Sequence, residues 1–231
     1  DAAQPPAVTR WPPNGRLHYT VEATQGGTQY HGVSELLWST GDHVYRIDQS
    51  TGVNLLITTL NLQSSTSEGR VEPSGLAPLR YTEKRRNRAT VATNFNRDAT
   101  PATITFSASS KEFALTDGAQ DRASVVFQLA GLLASQTDGT DLSGYEVTLA
   151  GTRDAQVWRF EAAGHDLVKT GLGEVRGLRY VREPRADSYE SRLEIWFAQE
   201  LQWFPARIRY TERNHDVVEL TLDAIDLAPQ Q

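Results

Sequence analysis

The chain has 231 residues, a net charge of −6 with both signs interspersed, and 39% hydrophobic residues, enough for one sizeable core. This balance favours neither nucleic acid nor an anionic membrane surface as a partner, and no apolar run approaches the ~20 residues of a membrane span. The sequence contains no Met and no Cys. Those two absences predict a processed N-terminus after removal of a signal peptide and an oxidising, periplasmic location, with no disulfide framework to help the core.

Residues 1–14 hold four of the ten prolines and no periodic apolar pattern, which predicts a flexible Pro-rich leader ahead of a single β-rich domain over 15–228. Leu17, Tyr19, Val21 and Ala23 then alternate with polar neighbours at the period of a half-buried strand, and Gly26-Gly27 supplies a two-residue turn. The implied register sets Leu17 opposite Leu36 and Tyr19 opposite Ser34, with His18 facing Glu35 and Glu22 facing His31 on the outer side. Two such His–Glu pairs can suggest a metal site or pH switch, but cross-strand charge pairing on a solvent face explains them without a third ligand.

His43–Asp48 reads as a strand and Val53–Leu62 as a second, buried one, with the Ser/Thr-rich Gln63–Glu68 either loop or polar continuation. A Pro-Ser-Gly turn leads into a strand at Leu79–Arg86, partnered by Arg88–Asn96. Lys84, Arg85, Arg86 and Arg88 make a basic hairpin tip, which can hold an anionic partner or be a solvated end. Short strands at Thr103–Ala108 and Glu112–Thr116 precede the one strong helix, Asp121–Ser135. There Asp121 can cap the start, and Val125, Val126, Leu129, Ala130, Leu132 and Leu133 recur at helical spacing. Gln128 and Gly131 leave a narrow polar strip; Leu129 and Leu133 are expected to point inward, with Phe127 at the margin.

After a loop at Asp138–Ser143, Tyr145–Ala150 pairs with Gln156–Ala162, and Glu174–Arg182 with Ser191–Ala198 across the polar stretch Glu183–Tyr189. The last hairpin, Arg207–Arg213 with Val217–Asp223, is predicted to turn at Asn214-His215-Asp216, setting Ile208 opposite Leu222, Tyr210 opposite Leu220 and Arg207 opposite Asp223. One echo recurs: Arg80-Tyr81-Thr82-Glu83-Lys84 and Arg209-Tyr210-Thr211-Glu212-Arg213. At five residues it reads as similar strand chemistry rather than a duplicated unit.

Catalytic patterns are missing. Without Cys, thiol catalysis and Cys-ligated zinc are excluded, and there is no GxSxG, P-loop, HExxH or GxGxxG. The five histidines are scattered. Glu190 and Glu194 fall on one predicted strand face, where a glycosidase-like pair could be built, although solvent-face charges account for them as well.

The segments WPPNGRLHYTVEA, GLAPLRYTEKR, DRASVVFQLAGLL and LEIWFAQELQWFPARIRY, in this order, resemble a family of bacterial envelope proteins catalogued as domain of unknown function 3108. The resemblance covers most of residues 11–225 and implies a periplasmic location, with no activity and no catalytic residues to carry over. The late strands are more distantly similar to the lipoprotein carriers LolA and LolB, whose fold is a curved sheet wrapped over helices.

The expected fold is mainly β: a long curved antiparallel sheet, an open or half barrel, with one principal helix on its concave face. The expected function is that of a non-enzymatic periplasmic or cell-envelope protein that needs no cofactor and no metal. It binds or carries an apolar ligand such as a lipid or acyl chain through Phe127, Leu129, Leu133, Trp38, Trp158 and Trp196. The alternative is an envelope scaffold or adaptor holding a protein partner through Lys84, Arg85, Arg86 and Arg88; a polysaccharide hydrolase is a third, remote reading.

Overall fold

The structure, a computed structural model, describes residues 7–55, 58–136, 142–185 and 190–229. Eight strands run as a meander: β1 (Gly15–Gln25), β2 (Thr28–Gly41), β3 (Val44–Leu55), β4 (Thr58–Glu72), β5 (Gly75–Arg85), β6 (Val91–Asn96), β7 (Thr103–Phe106) and β8 (Ser109–Ala114). The two-residue β9 (Gln120–Asp121) leads into helix α1 (Ser124–Ser135). Six strands complete the chain: β10 (Tyr145–Ala150), β11 (Ala155–Thr170), β12 (Gly173–Arg182), β13 (Arg192–Ala198), β14 (Pro205–Thr211) and β15 (Val217–Leu227).

All fifteen strands form one curved sheet in the order β8 to β1, then β15 back to β9, with β15 closing against β1. Every pairing is antiparallel except β9 with β10, as sequential hairpins require. The sheet does not close into a barrel. Its two ends meet through side chains instead: Thr93 Oγ1 donates to Gly151 O at 2.6 Å, Thr116 Oγ1 to Thr148 Oγ1 at 2.8 Å, and Arg153 Nη1 to Ala108 O at 3.1 Å.

The first hairpin has the predicted register throughout, from Leu17 opposite Leu36 to Glu22 opposite His31. Two other readings are corrected. Val53–Leu62 is not one strand, because Leu55 pairs with Thr58 and Val53 with Leu60, so it is divided between β3 and β4. In the last hairpin Ile208 pairs with Leu220, Arg209 with Glu219 and Tyr210 with Val218, two residues off the predicted register. The cause is the turn: His215 sits at φ 67°, and Glu212 N donates to Asp216 O at 2.8 Å, so the loop closes one residue earlier. The Ser/Thr-rich Gln63–Glu68 is continuous strand within β4. The predicted loop at Asp138–Ser143 and the stretch Glu183–Tyr189 fall partly outside the described residues.

Helix α1 fills one end of the concave face. Ten consecutive residues, Ser124 to Leu133, are buried, as expected of a helix with apolar side chains over most of its circumference. Asp121 caps it as predicted: Oδ1 accepts from the backbone N–H of Ala123 and of Ser124, both at 2.9 Å. The narrow polar strip is covered too. Gln128 reaches the β4–β5 turn, where its Oε1 accepts from Leu76 N at 2.7 Å and its Nε2 donates to Ser74 O at 2.9 Å. Gly131 lies under Trp11 and Val8, close enough that a Cβ would stand 2.4 Å from the Trp11 ring.

That contact belongs to the segment read as a flexible leader. Val8 is buried, Thr9 N and Arg10 N both donate to Ser135 Oγ, and Trp38 Nε1 donates to Pro12 O at 3.0 Å. Residues 8–12 therefore form a strap over α1, and Trp11 supplies the apolar surface that a run of prolines does not.

Candidate functional site

Each strand alternates sides, so one set of positions faces the concavity along its whole length. In the lower part these positions are apolar: Tyr45 and Ile47 on β3, Leu17 and Tyr19 on β1, Leu36 and Trp38 on β2, all packed into the core under α1. Farther along β3 and β5, beyond the helix N-terminus, the inward positions turn polar: Ile47 gives way to Gln49 and Thr51, and Tyr81 to Glu83 and Arg85. Between them β4 is polar at Ser67, Ser65 and Gln63, while β15 stays apolar at Leu220 and Val218. There the concave face is open and holds a recess of about 280 Å³, continuous through Arg122, Ser191, Tyr210 and Glu212 with a second of about 240 Å³ beside Trp158.

The two copies of the Tyr-Thr-Glu echo meet at this place. Tyr81 and Glu83 on β5, and Tyr210 and Glu212 at the end of β14, all line the larger recess. A spacing of two along a strand puts tyrosine and glutamate on one face, and the curvature brings β5 and β14 to opposite walls. Arg122, at the start of the helix, stands near both phenols: burial pushes the pKa of Tyr81 and Tyr210 up, and the Arg122 charge opposes that rise.

The two copies differ in how their acids are met. Glu83 is 5% exposed; Tyr81 Oη donates to it at 3.2 Å and Arg85 Nε pairs with it at 2.8 Å. Glu212 accepts from Ser191 Oγ at 2.7 Å and has no cation in ion-pair reach among the described residues. Arg122 likewise lacks a carboxylate partner among the described residues. In the smaller recess Arg182 lies 4.1 Å from the Trp158 ring centroid, pairs with Glu190 and donates to Ser191 O at 3.1 Å. The Trp158 indole N–H is buried with no acceptor among the described residues.

The residues expected to hold an apolar ligand lie elsewhere, with one exception. Phe127 is fully buried rather than marginal, stacked on Trp38 with centroids 4.3 Å apart and planes 11° apart; Leu129 and Leu133 share that core. Of the six, Trp158 borders one of the two recesses described above. Trp196 is on the opposite, convex face, in a separate cluster with Val168, Val175, Ala198 and Ala206 under the β11–β12 hairpin. Three guanidiniums, of Arg179, Arg207 and Arg209, stand within 5.9 Å of its ring centroid, and its Nε1 donates to Asp166 at 2.8 Å.

Glu190 and Glu194 do not form a pair. β13 begins at Arg192, so Glu190 precedes it and turns to Arg182 on the concave side. Glu194 bonds outward to Arg179 and Arg192. Lys84, Arg85, Arg86 and Arg88 are exposed at the β5–β6 tip. His18 lies between Glu35 (3.8 Å) and Asp226 (2.9 Å), and among the described residues no group of three acids or histidines could hold a metal.

Comparison with known proteins places residues 16–223 under the family described as Protein of unknown function (DUF3108). No curated protein matches the sequence. Among solved structures, one described as a "putative lipoprotein" from Parabacteroides distasonis is 7% identical with a TM-score of 0.42, over 96% of this chain and 100% of that one. A DUF1329 family protein from Desulfovibrio piger is 8% identical with a TM-score of 0.31, over 97% and 89%. Both likenesses are too distant to bear on function.

Proposed function

Since the chain belongs to the DUF3108 family, whose description assigns no activity, we propose from its geometry that it is a non-enzymatic binding protein of the cell envelope. Its ligand sits in the open polar half of the concave face. The observation that carries this reading is the change of the inward positions from apolar to polar along β3 and β5, just where the helix stops covering them. A strand built only to be core has no use for inward Gln49, Ser65 and Glu83, and a concave recess with aromatic faces and convergent polar groups is how small-molecule sites are built. An acyl chain has no such place against α1, where Trp38, Phe127 and Leu129 are packed on each other. If the cargo is a lipid, it enters by its headgroup.

Native mass spectrometry of the chain recovered from the periplasm tests this. The expected result is a bound small molecule that Tyr210→Ala loses. No adduct, or an adduct that Tyr210→Ala keeps in full, overturns the placement.

The scaffold reading rests on a different observation. Of the four tip cations only Arg85 is paired, with Glu83, which leaves Lys84, Arg86 and Arg88 without carboxylate partners among the described residues. Charge reversal at Arg86 and Arg88 that abolishes a crosslink formed in cells supports it; an unchanged crosslink removes the tip from contention.

A further inference from the structure

Resting on the binding reading above, we propose that the recess is matched to a zwitterion, with an oxyanion taken at Arg122 and an ammonium at Glu212. Three charged side chains line the smaller recess: Arg122, Glu190 and Glu212. Glu190 is already met by Arg182, whose guanidinium is fixed by Ser191 O and the Trp158 ring. Glu83, on the wall of the larger recess, is met by Arg85. Those pairs neutralise themselves and leave one cation and one anion, Arg122 and Glu212, without counter-ions among the described residues, although both line the same two recesses.

This arrangement selects by charge. An anion drawn to Arg122 meets Glu212, and a cation drawn to Glu212 meets Arg122. A ligand carrying both charges a few bonds apart meets each with its opposite, which is how electrostatic complementarity yields specificity. Trp158 lines the same smaller recess, so its indole reports on what enters beside Arg122 and Glu212. Tyr210 lines the recess together with Glu212, and an aromatic ring beside a carboxylate suits an ammonium. Ser191 holds the Glu212 carboxylate in place by the 2.7 Å hydrogen bond, so the acid is preorganised.

The sequence echo explains why one side of the recess is reserved. In the first copy, Tyr81-Thr82-Glu83, an arginine two residues on shares the glutamate's face and pairs with it. In the second copy the turn at Glu212–His215 intervenes, and no cation follows on that face. The chemistry of amino acid or peptide termini and that of an aminoethyl phosphate headgroup are alike here, an oxyanion and an ammonium joined by a short spacer.

Titration of the ¹⁵N-labelled full chain distinguishes them. The five tryptophans give five indole signals, and the one missing from Trp158→Phe is that of Trp158. Glycine and glycylglycine are expected to shift this signal at concentrations at least tenfold below those at which acetate or ethylammonium does so. Arg122→Gln abolishes the response, and Glu212→Gln brings acetate to parity with glycine; both residues are exposed, and the other four indole signals report that the fold is kept. A response to soluble glycine or glycylglycine supports an amino acid or peptide. Co-sedimentation with phosphatidylethanolamine vesicles, lost in Arg122→Gln, supports a headgroup instead. Acetate acting as well as glycine on the unaltered chain, or no response to any probe, overturns the zwitterion. If the mass-spectrometric adduct persists in that case, binding in the recess stands and only the ligand class falls.

Discussion

The two halves of the concave face are made by the same strands, yet one is a solid core and the other an open recess. Along β3 the inward positions run Tyr45, Ile47, Gln49 and Thr51; the backbone ladder is unbroken and only the side chains change. The difference lies in what stands opposite. Beneath α1 an inward side chain meets ten consecutive buried helix residues and gains by leaving water. Past the helix N-terminus it faces the open recess, where a polar side chain keeps water or, like Glu83, a polar partner. Half of a curved sheet can thus be devoted to stability and half to recognition without any break in secondary structure.

Substitution on either side of this boundary should give sharply different effects. The largest is expected for Phe127→Ala, which empties the space stacked on Trp38 and should lower stability by ~3–5 kcal/mol in chemical denaturation. A loss below about 1 kcal/mol there would mean that the helix-filled half is not close-packed.

The boundary itself carries a buried charge. Burial pushes the Asp121 carboxyl up to about 6, against the opposing effect of hydrogen bonds from Ser67, Ala123 and Ser124. A carboxyl with a raised folded-state pKa stabilises the fold fully below its unfolded value near 4 and loses that contribution as pH rises through about 6. The span corresponds to roughly 3 kcal/mol. Asp121→Asn keeps a good helix cap and removes the titration, so the difference in stability between the unaltered chain and the variant should change by that order between pH 4 and pH 7. A constant difference across this range would show that Asp121 does not titrate there.

The smallest effect is expected two residues along β3 from Ile47. Gln49→Ala, in the open half, should change stability by no more than ~0.5 kcal/mol, as for other partly exposed sites. A cost of several kcal/mol would show that the recess is a structural interior after all.

Much of this molecule is legible in the sequence. Period-two alternation marked the strands, Gly26-Gly27 fixed the first hairpin with its register, Pro73-Ser74-Gly75 marked the turn into β5, and the apolar breadth of Ser124–Leu133 required a cover on all sides. Even the candidate site left a trace, since the repeated Tyr-Thr-Glu marks the residues that meet in it. That the copies face each other follows only from the curvature that brings β5 and β14 to opposite walls, which is the sum of many small strand twists. Sequence spacing could not separate Trp196 from Trp158 either, because both occupy buried strand positions. The sheet has two faces, and the β11–β12 hairpin folds over the convex one to bury Trp196 there. Periodicity therefore determined which residues share a face of one strand. The tertiary fold alone decided which faces meet, which of them the helix covers, and where Arg122 and Glu212 stand without counter-ions among the described residues.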